Sequence, residues 1–260
     1  MSRYLLIIEY DGSPYNGWQF QKNQTTVMGT LMNACQKVFE TQKFELYGAG
    51  RTDAGVHALG QVAHLDVNTS LRPEAIKIKL NDILPATLNL KNVKSVDSKF
   101  HARYDAKARS YVYHISTRRT AFGKKYAYWI KDKLDVMDMQ KAAKVFVGMH
   151  DYKSFGSAEA ENQSTKVEIL HVGVHQQASS ILVHIVGSHF LWKMVRRMVG
   201  TLIECGRGNI NETDIRKMLN HYSDIPAKLT VPPSGLFLEK VYYSSVPETF
   251  VPVWPMVIDE

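Results

Sequence analysis

Cysteine is nearly missing from this chain: two in 260 residues exclude a disulfide-stapled fold. Cys35 and Cys205 each fall within an apolar helical pattern, which reads as reduced core thiols and a cytoplasmic setting. Long hydrophobic runs are missing too. No segment approaches the roughly 20 apolar residues of a membrane span, and the N-terminal run from Tyr4 to Ile8 is too short for a secretory signal. A Gly-Lys-Ser/Thr phosphate loop, a Gly-x-Ser-x-Gly nucleophile elbow and a Lys/Arg-Gly-Phe-Gly-Phe run are all lacking, so nucleotide-phosphate, serine-hydrolase and conventional RNA-recognition-sheet readings lose their signatures. Ten histidines invite a metal reading. His171 and His175, however, lie in an alternating strand pattern rather than on a helix beside a glutamate, and neither cysteine is near a histidine cluster in sequence. No metal and no cofactor are expected.

What remains is an ordinary globular composition with a basic bias. Apolar residues make up 45% and charged residues 22%, and 32 Lys and Arg outnumber 25 Asp and Glu for a net charge of +7. The excess is concentrated. Between Lys99 and Lys125 stand Lys99, Arg103, Lys107, Arg109, Arg118, Arg119, Lys124 and Lys125 against the single acid Asp105, interleaved with Phe100, Tyr104, Tyr111, Tyr113 and Phe122. Basic side chains among aromatics suit phosphate contacts with base stacking, and equally a solvated strand surface over core aromatics.

Periodicity divides the chain into two α+β stretches. Strands are expected at 4–10, 44–49, 61–67 and 88–97, with helices at 26–41 and from Pro73 onward, where Ile76, Leu80 and Ile83 share a face. Then come strands at 109–117 and 126–130, a helix at 135–147, strands at 166–176 and 180–187, helices at 190–205 and 212–221 with Asn211 as cap, and a strand at 236–243. The polar segment 156–165 reads as a mobile surface loop, and the proline-bearing tail from Pro247 as extended docking or disorder. The domains so drawn are 1–103, 104–246 and a tail, 247–260. The expected architecture is an extended, mostly antiparallel sheet with helices on one side and a cleft where the two halves meet.

The most informative stretch is Gly48-Ala-Gly-Arg-Thr-Asp-Ala-Gly-Val-His57. It sets Asp53 in a glycine-rich bend between hydrophobic runs, with Arg51 two residues earlier. The glycines are no dinucleotide fingerprint: Asp53 stands where the third glycine belongs, a carboxylate there repels pyrophosphate, and no helix follows. An aspartate so placed serves as nucleophile, general base or arginine-paired anchor.

This run resembles the signature of the TruA-type tRNA pseudouridine synthases. Further matches follow in family order. They are Tyr10-Asp-Gly-Ser-Pro-Tyr-Asn-Gly-Trp-Gln19, Phe100-His-Ala-Arg103, Ala108-Arg-Ser-Tyr111, Phe190-Leu-Trp-Lys-Met-Val-Arg196 with Gly200, and Gly235-Leu236. The resemblance implies two related α+β domains, an active-site cleft between them, and a homodimer. It also implies isomerisation of uridine to pseudouridine in the anticodon stem-loop of tRNA, at tRNA positions 38–40, without a cofactor.

Asp53 matches the essential aspartate, Tyr111 the tyrosine that stacks on uracil and is proposed to take the C5 proton, and Arg196 the arginine that pairs with the aspartate. Leu236 matches the apolar pocket wall, and Arg51 the arginine that helps extrude the target base. His57 and Arg103, inside matched motifs, are further substrate-contact candidates, as is His101; His57 and His101 could instead brace the loop. The sequence departs from the family pattern at Met28, where glutamine is usual, and at Ser164-Thr-Lys166, which lacks the usual Arg or Pro. Two other classes remain open from the residues alone: a non-catalytic RNA-binding module or chaperone, and an N-glycoside hydrolase that releases the base.

Overall fold

The structure, a computed structural model, describes residues 1–157 and 164–255. The middle of the expected loop at 156–165 and the last five residues of the tail lie outside the described residues. By contacts the chain forms two compact units. One joins Met1–Lys107 to Phe237–Val246, and the other joins Ala108–Leu236 to Pro247–Glu260. The domain ranges drawn from the sequence are continuous stretches, whereas each compact unit takes in two segments.

In the first unit, strand β1 (Ser2–Tyr10) runs antiparallel to both β3 (His57–Val67) and β4 (Leu88–Val96). Its even positions, Tyr4, Leu6, Ile8 and Tyr10, are buried, as period-two alternation requires. β3 is buried along most of its length because it has neighbours on both edges. Strand β2 (Phe44–Gly48) pairs antiparallel with its second half, and β10 (Leu236–Tyr242) pairs parallel at Phe237 with His57 and Leu238 with Ala58.

Helix α1 (Val27–Phe39) is capped by Thr26, whose side chain accepts from Gly29 N, and its core face is Val27, Leu31, Ala34 and Cys35. It ends at Glu40 in the left-handed region (φ 51), with no glycine to announce the stop. Helix α2 (Pro73–Asn81) starts on proline as expected. Its last residue, Asn81, clamps the backbone of Leu90 with two hydrogen bonds of 2.8 and 3.0 Å, tying α2 to β4.

In the second unit, β5 (Ala108–Ser116), β9 (Ser180–Gly187), β8 (Lys166–Gln177) and β7 (Gly148–Asp151) follow one another in antiparallel pairing, and the two-residue β6 (Tyr128–Trp129) lies parallel to the end of β5. Helix α3 (Val136–Ala143), capped by Asp135, continues as a 3₁₀ turn at 144–146, so the expected helix to 147 is α-helical only as far as Ala143. Helix α4 (Met194–Gly206) begins later than the periodicity implied, because Lys193 takes a left-handed conformation (φ 61). Helix α5 (Glu212–Asn220) carries a reciprocal capping box between Asn211 and Asp214. The short α6 (Ile225–Lys228), a 3₁₀ turn at 233–235 and β7 were not legible in the sequence. Each unit is thus α+β with a mostly antiparallel sheet, as expected. Cys35 and Cys205 are both buried free thiols.

Candidate active site

The aspartate loop is held by the segment that follows β1. Trp18 N donates to Thr52 O (3.0 Å), Gly55 N to Tyr15 O (3.3 Å), and Val56 N to Asp53 O (3.1 Å). Side chains reinforce the backbone bonds. The Tyr10 hydroxyl meets Thr52 Oγ1 at 2.8 Å in a buried contact, and Gln61 Nε2 donates to Gly50 O (3.0 Å).

Three glycines make the fit possible. A Cβ on Gly12 would lie 2.0 Å from Val56 O, one on Gly17 would lie 2.6 Å from Thr52 O, and one on Gly48 would enter the Trp18 ring at 2.5 Å. Gly17 and Gly55 also have positive φ, of 87° and 77°. Asp53 is therefore a half-buried carboxylate on a backbone fixed from beneath, which is the preorganisation a reacting group needs.

His57 is fully buried. Its Nδ1 accepts a hydrogen bond from Gly12 N (2.9 Å), and its ring stacks on Phe237 (centroids 4.7 Å apart). Asp11 Oδ1 lies 3.2 Å from the same Nδ1, but a nitrogen that accepts the Gly12 N–H carries no proton to share with the carboxylate. His57 braces the loop from inside, away from solvent. Arg51, by contrast, is exposed and donates through Nε to Gln19 Oε1 (3.2 Å). The other end of Gln19 reaches Met28, with Nε2 3.7 Å from the thioether sulfur. The departure at Met28 is thus one side chain removed from Arg51.

Within the second unit, Tyr111 is half-buried on β5 and meets Phe190 edge-to-face at 5.0 Å. Two residues on, Tyr113 is buried, and its hydroxyl donates to Pro232 O (2.9 Å). Burial raises the Tyr113 phenol well above its ordinary pKa. Arg196 sits on α4 and donates through Nε to Val231 O (2.7 Å), while Val231 N donates back to Arg196 O (3.4 Å). α4 approaches the connection that follows Lys228 so closely that a Cβ on Gly200 would lie 1.8 Å from Leu229 O. Leu236 is buried, and Gly235 before it packs on Tyr113 and His114 O. Arg196 is tied to the 229–236 connection through Val231 O, Leu236 ends that connection, and Tyr113, two residues after Tyr111 on β5, is tied to it through Pro232 O.

A family profile described as tRNA pseudouridine synthase matches residues 6–105 and 142–244. The tRNA pseudouridine synthase A of Thermoanaerobacter sp. (strain X514) is 37% identical over 245 residues, covering 94% of this chain and all of the relative. Those of Clostridium botulinum (strain Alaska E43 / Type E3) and Acetivibrio thermocellus are 39% and 40% identical over 240 residues, covering 92% of this chain and 98% of theirs. The chain belongs to the tRNA pseudouridine synthase family.

The basic stretch of this family member is largely at the surface. Lys99, Lys107, Arg118, Arg119, Lys124 and Lys125 are exposed, and Arg103 and Arg109 are half-buried. Of its aromatics, Tyr113 is core, while Tyr104 and Phe122 are 78% and 85% exposed. Tyr104 stacks on His101 at 4.2 Å, and Arg119 lies over the Trp129 ring at 5.8 Å. His101 Nδ1 also accepts from Arg103 N (3.1 Å), which fixes the bend that carries Arg103. Among the described residues, no helix is long and apolar enough to cross a membrane.

Proposed function

We propose that this protein isomerises uridine to pseudouridine in the anticodon stem-loop of tRNA, at tRNA positions 38–40, acting as a cytoplasmic homodimer without a cofactor. One observation carries the reading. In a chain that matches family relatives over nearly its whole length, the family's aspartate falls on a loop clamped from beneath by Gly12, Gly17 and Trp18.

The reaction breaks the bond from C1′ to N1, turns the uracil, joins C5 to C1′, and moves the C5 proton away while N1 gains one. It consumes nothing and needs a carboxylate, a proton acceptor and a base held out of the stack. Asp53 is the carboxylate at the sugar or base. Tyr111 stacks on the uracil and takes the C5 proton. Arg196 is the cation that keeps the carboxylate ionised, and Leu236 walls the base. Exposed Arg51 meets the RNA backbone beside the extruded nucleotide, and Arg103 with the basic stretch supplies phosphate contacts. His57 supports the loop from inside. Shape-led and phosphate-led recognition of this kind accepts many tRNAs.

The test is tritium release from tRNA carrying uridine labelled at C5, comparing wild type with Asp53→Ala. Release by wild type that disappears in the variant supports the reading, and mapping the product gives the tRNA position. Tight, salt-sensitive binding with no release would mean a binding module on the same fold. Free uracil in the supernatant would mean a hydrolase.

A further inference from the structure

His171 and His175 stand on β8 with Gly173 midway between them, and Gly173 pairs with His184 on β9. Residues four apart on a strand have Cα atoms about 13 Å apart, so two rings meet only by leaning inward over the residue between. They do so here: a Cβ on Gly173 would lie 2.7 Å from Nε2 of His171 and 2.7 Å from Nε2 of His175. A glycine is what leaves the space.

The three rings bring one ligand nitrogen each to within 4.8 Å of one another. His184 directs Nε2 to Ser110 Oγ (2.8 Å), so Nδ1 is the nitrogen it offers to the cluster. Among the described residues, the Nε2 atoms of His171 and His175 are buried without a hydrogen-bond partner. Buried ring nitrogens in this condition are rare, and each calls for a ligand. Phe250, from the tail, lies against the group, tilted on His171 with ring centroids 5.2 Å apart and edge-on to His184 at 6.3 Å.

We propose that His171, His175 and His184 form a binding site for one divalent transition-metal ion of the zinc class, which fastens β8 to β9 beneath the C-terminal tail. The donor set decides the class. Three imidazoles with no carboxylate suit zinc, cobalt, nickel or copper and exclude calcium and magnesium, which want oxygen. Burial pushes the His171 imidazole down to about 4 and lowers that of His175, so these two rings are neutral at physiological pH and their lone pairs are available to a metal. Asp53, the base and the tRNA need no part of this ion. The site is structural, on strands that carry none of the residues assigned to the chemistry.

The sequence shows the pattern as His-Val-Gly-Val-His on a strand. Alternation puts both histidines on one face, and the middle glycine makes the room that a side chain would fill.

The experiment uses the full-length protein, stripped by chelator and titrated with zinc chloride and with cobalt chloride. The expected result is one equivalent bound, a visible d–d absorption with cobalt, and a Tm rise of several degrees at saturation. His171→Ala/His175→Ala and, separately, Gly173→Ala should lose that equivalent while keeping the metal-free Tm to within a few degrees. No binding by wild type at micromolar free metal overturns the proposal, and so does an unchanged stoichiometry in the variants. Should the variants not fold, the imidazole NMR signals of wild type decide. Three rings shifting together on zinc addition support the site, and shifts elsewhere refute it.

Discussion

Gly17 lies directly against the carbonyl of Thr52: a Cβ on Gly17 would stand 2.6 Å from Thr52 O and 3.2 Å from the carbonyl carbon of Asp53. The position of the carboxylate is thereby set by a residue 36 positions earlier that has no side chain. Gly17→Ala adds a methyl group to this contact at a φ of 87°. Its stability should fall by about 1–3 kcal/mol, the usual cost of such backbone strain. Isomerisation should fall about 100-fold or more, because small displacements of a reacting group cost that much. Urea unfolding and single-turnover tritium release, run on the same preparation, separate the two effects.

Asp53→Asn should abolish tritium release while tRNA affinity holds or rises. Removing a negative charge cannot weaken an interaction led by phosphates. A parallel loss of affinity, measured by filter binding at fixed salt, would show that Asp53 supports the loop rather than the chemistry.

Arg51 and Gln19 should give different signatures. Arg51→Ala removes a cation, so the salt dependence of tRNA binding should lose about one unit of slope. Gln19→Leu keeps the cation but removes the partner of its Nε, so slope stays and turnover drops. Met28→Gln gives Gln19 a stronger acceptor than the thioether and should shift turnover only slightly. Binding isotherms from about 50 to 200 mM salt distinguish the three.

Acid should unfold this protein early, through His64 and His114. Both are buried and both are pushed down to about 4, in each case chiefly by burial, with Arg3 and His101 adding to the effect at His64. A base whose folded pKa lies below its unfolded value near 6.5 favours the folded state above pH 6.5. That contribution fades as pH falls from 6.5 toward 4, because the unfolded chain takes up the proton first. At 1.36 kcal/mol per unit, each group accounts for at most about 3 kcal/mol. His64 Nδ1 also accepts from Ala102 N (3.1 Å), a bond that protonation there would remove. Urea midpoints from pH 7.5 to 4.5 should fall, and His114→Gln should flatten part of the slope.

Much of the fold was legible because the core elements are strongly periodic. Leu31, Ala34 and Cys35 on α1, and Ile215, Met218 and Leu219 on α5, announce their buried faces, and Thr26, Pro73 and Asn211 mark helix starts. The misses have local causes. β7 is four residues long and only half-buried, so Gly148-Met-His-Asp151 shows no alternation to read. β3 begins at His57 rather than near 61 because its first residues are also the end of the aspartate loop.

At the site, the sequence placed Asp53 and Arg51 on one loop, but it did not show what holds them. Gly12, Trp18 and His57 brace the loop through contacts between segments some 40 residues apart, which no local pattern encodes. The Arg196 bond to Val231 O spans 35 residues and was equally hidden.

The parallel pairing of Phe237 and Leu238 with His57 and Ala58 has a consequence for how the protein is made. The strand on which His57 leans is synthesised about 180 residues after His57 itself. On the ribosome, the sheet of the first unit is complete only once Phe237 and Leu238 have been made. A fragment ending at residue 107 would contain Asp53, Arg51 and every glycine beneath them, yet lack Phe237, so the aspartate loop would stand on an exposed histidine. Messages cut short before the last strand would therefore yield chains in which His57, at the foot of the aspartate loop, lacks its stacking partner.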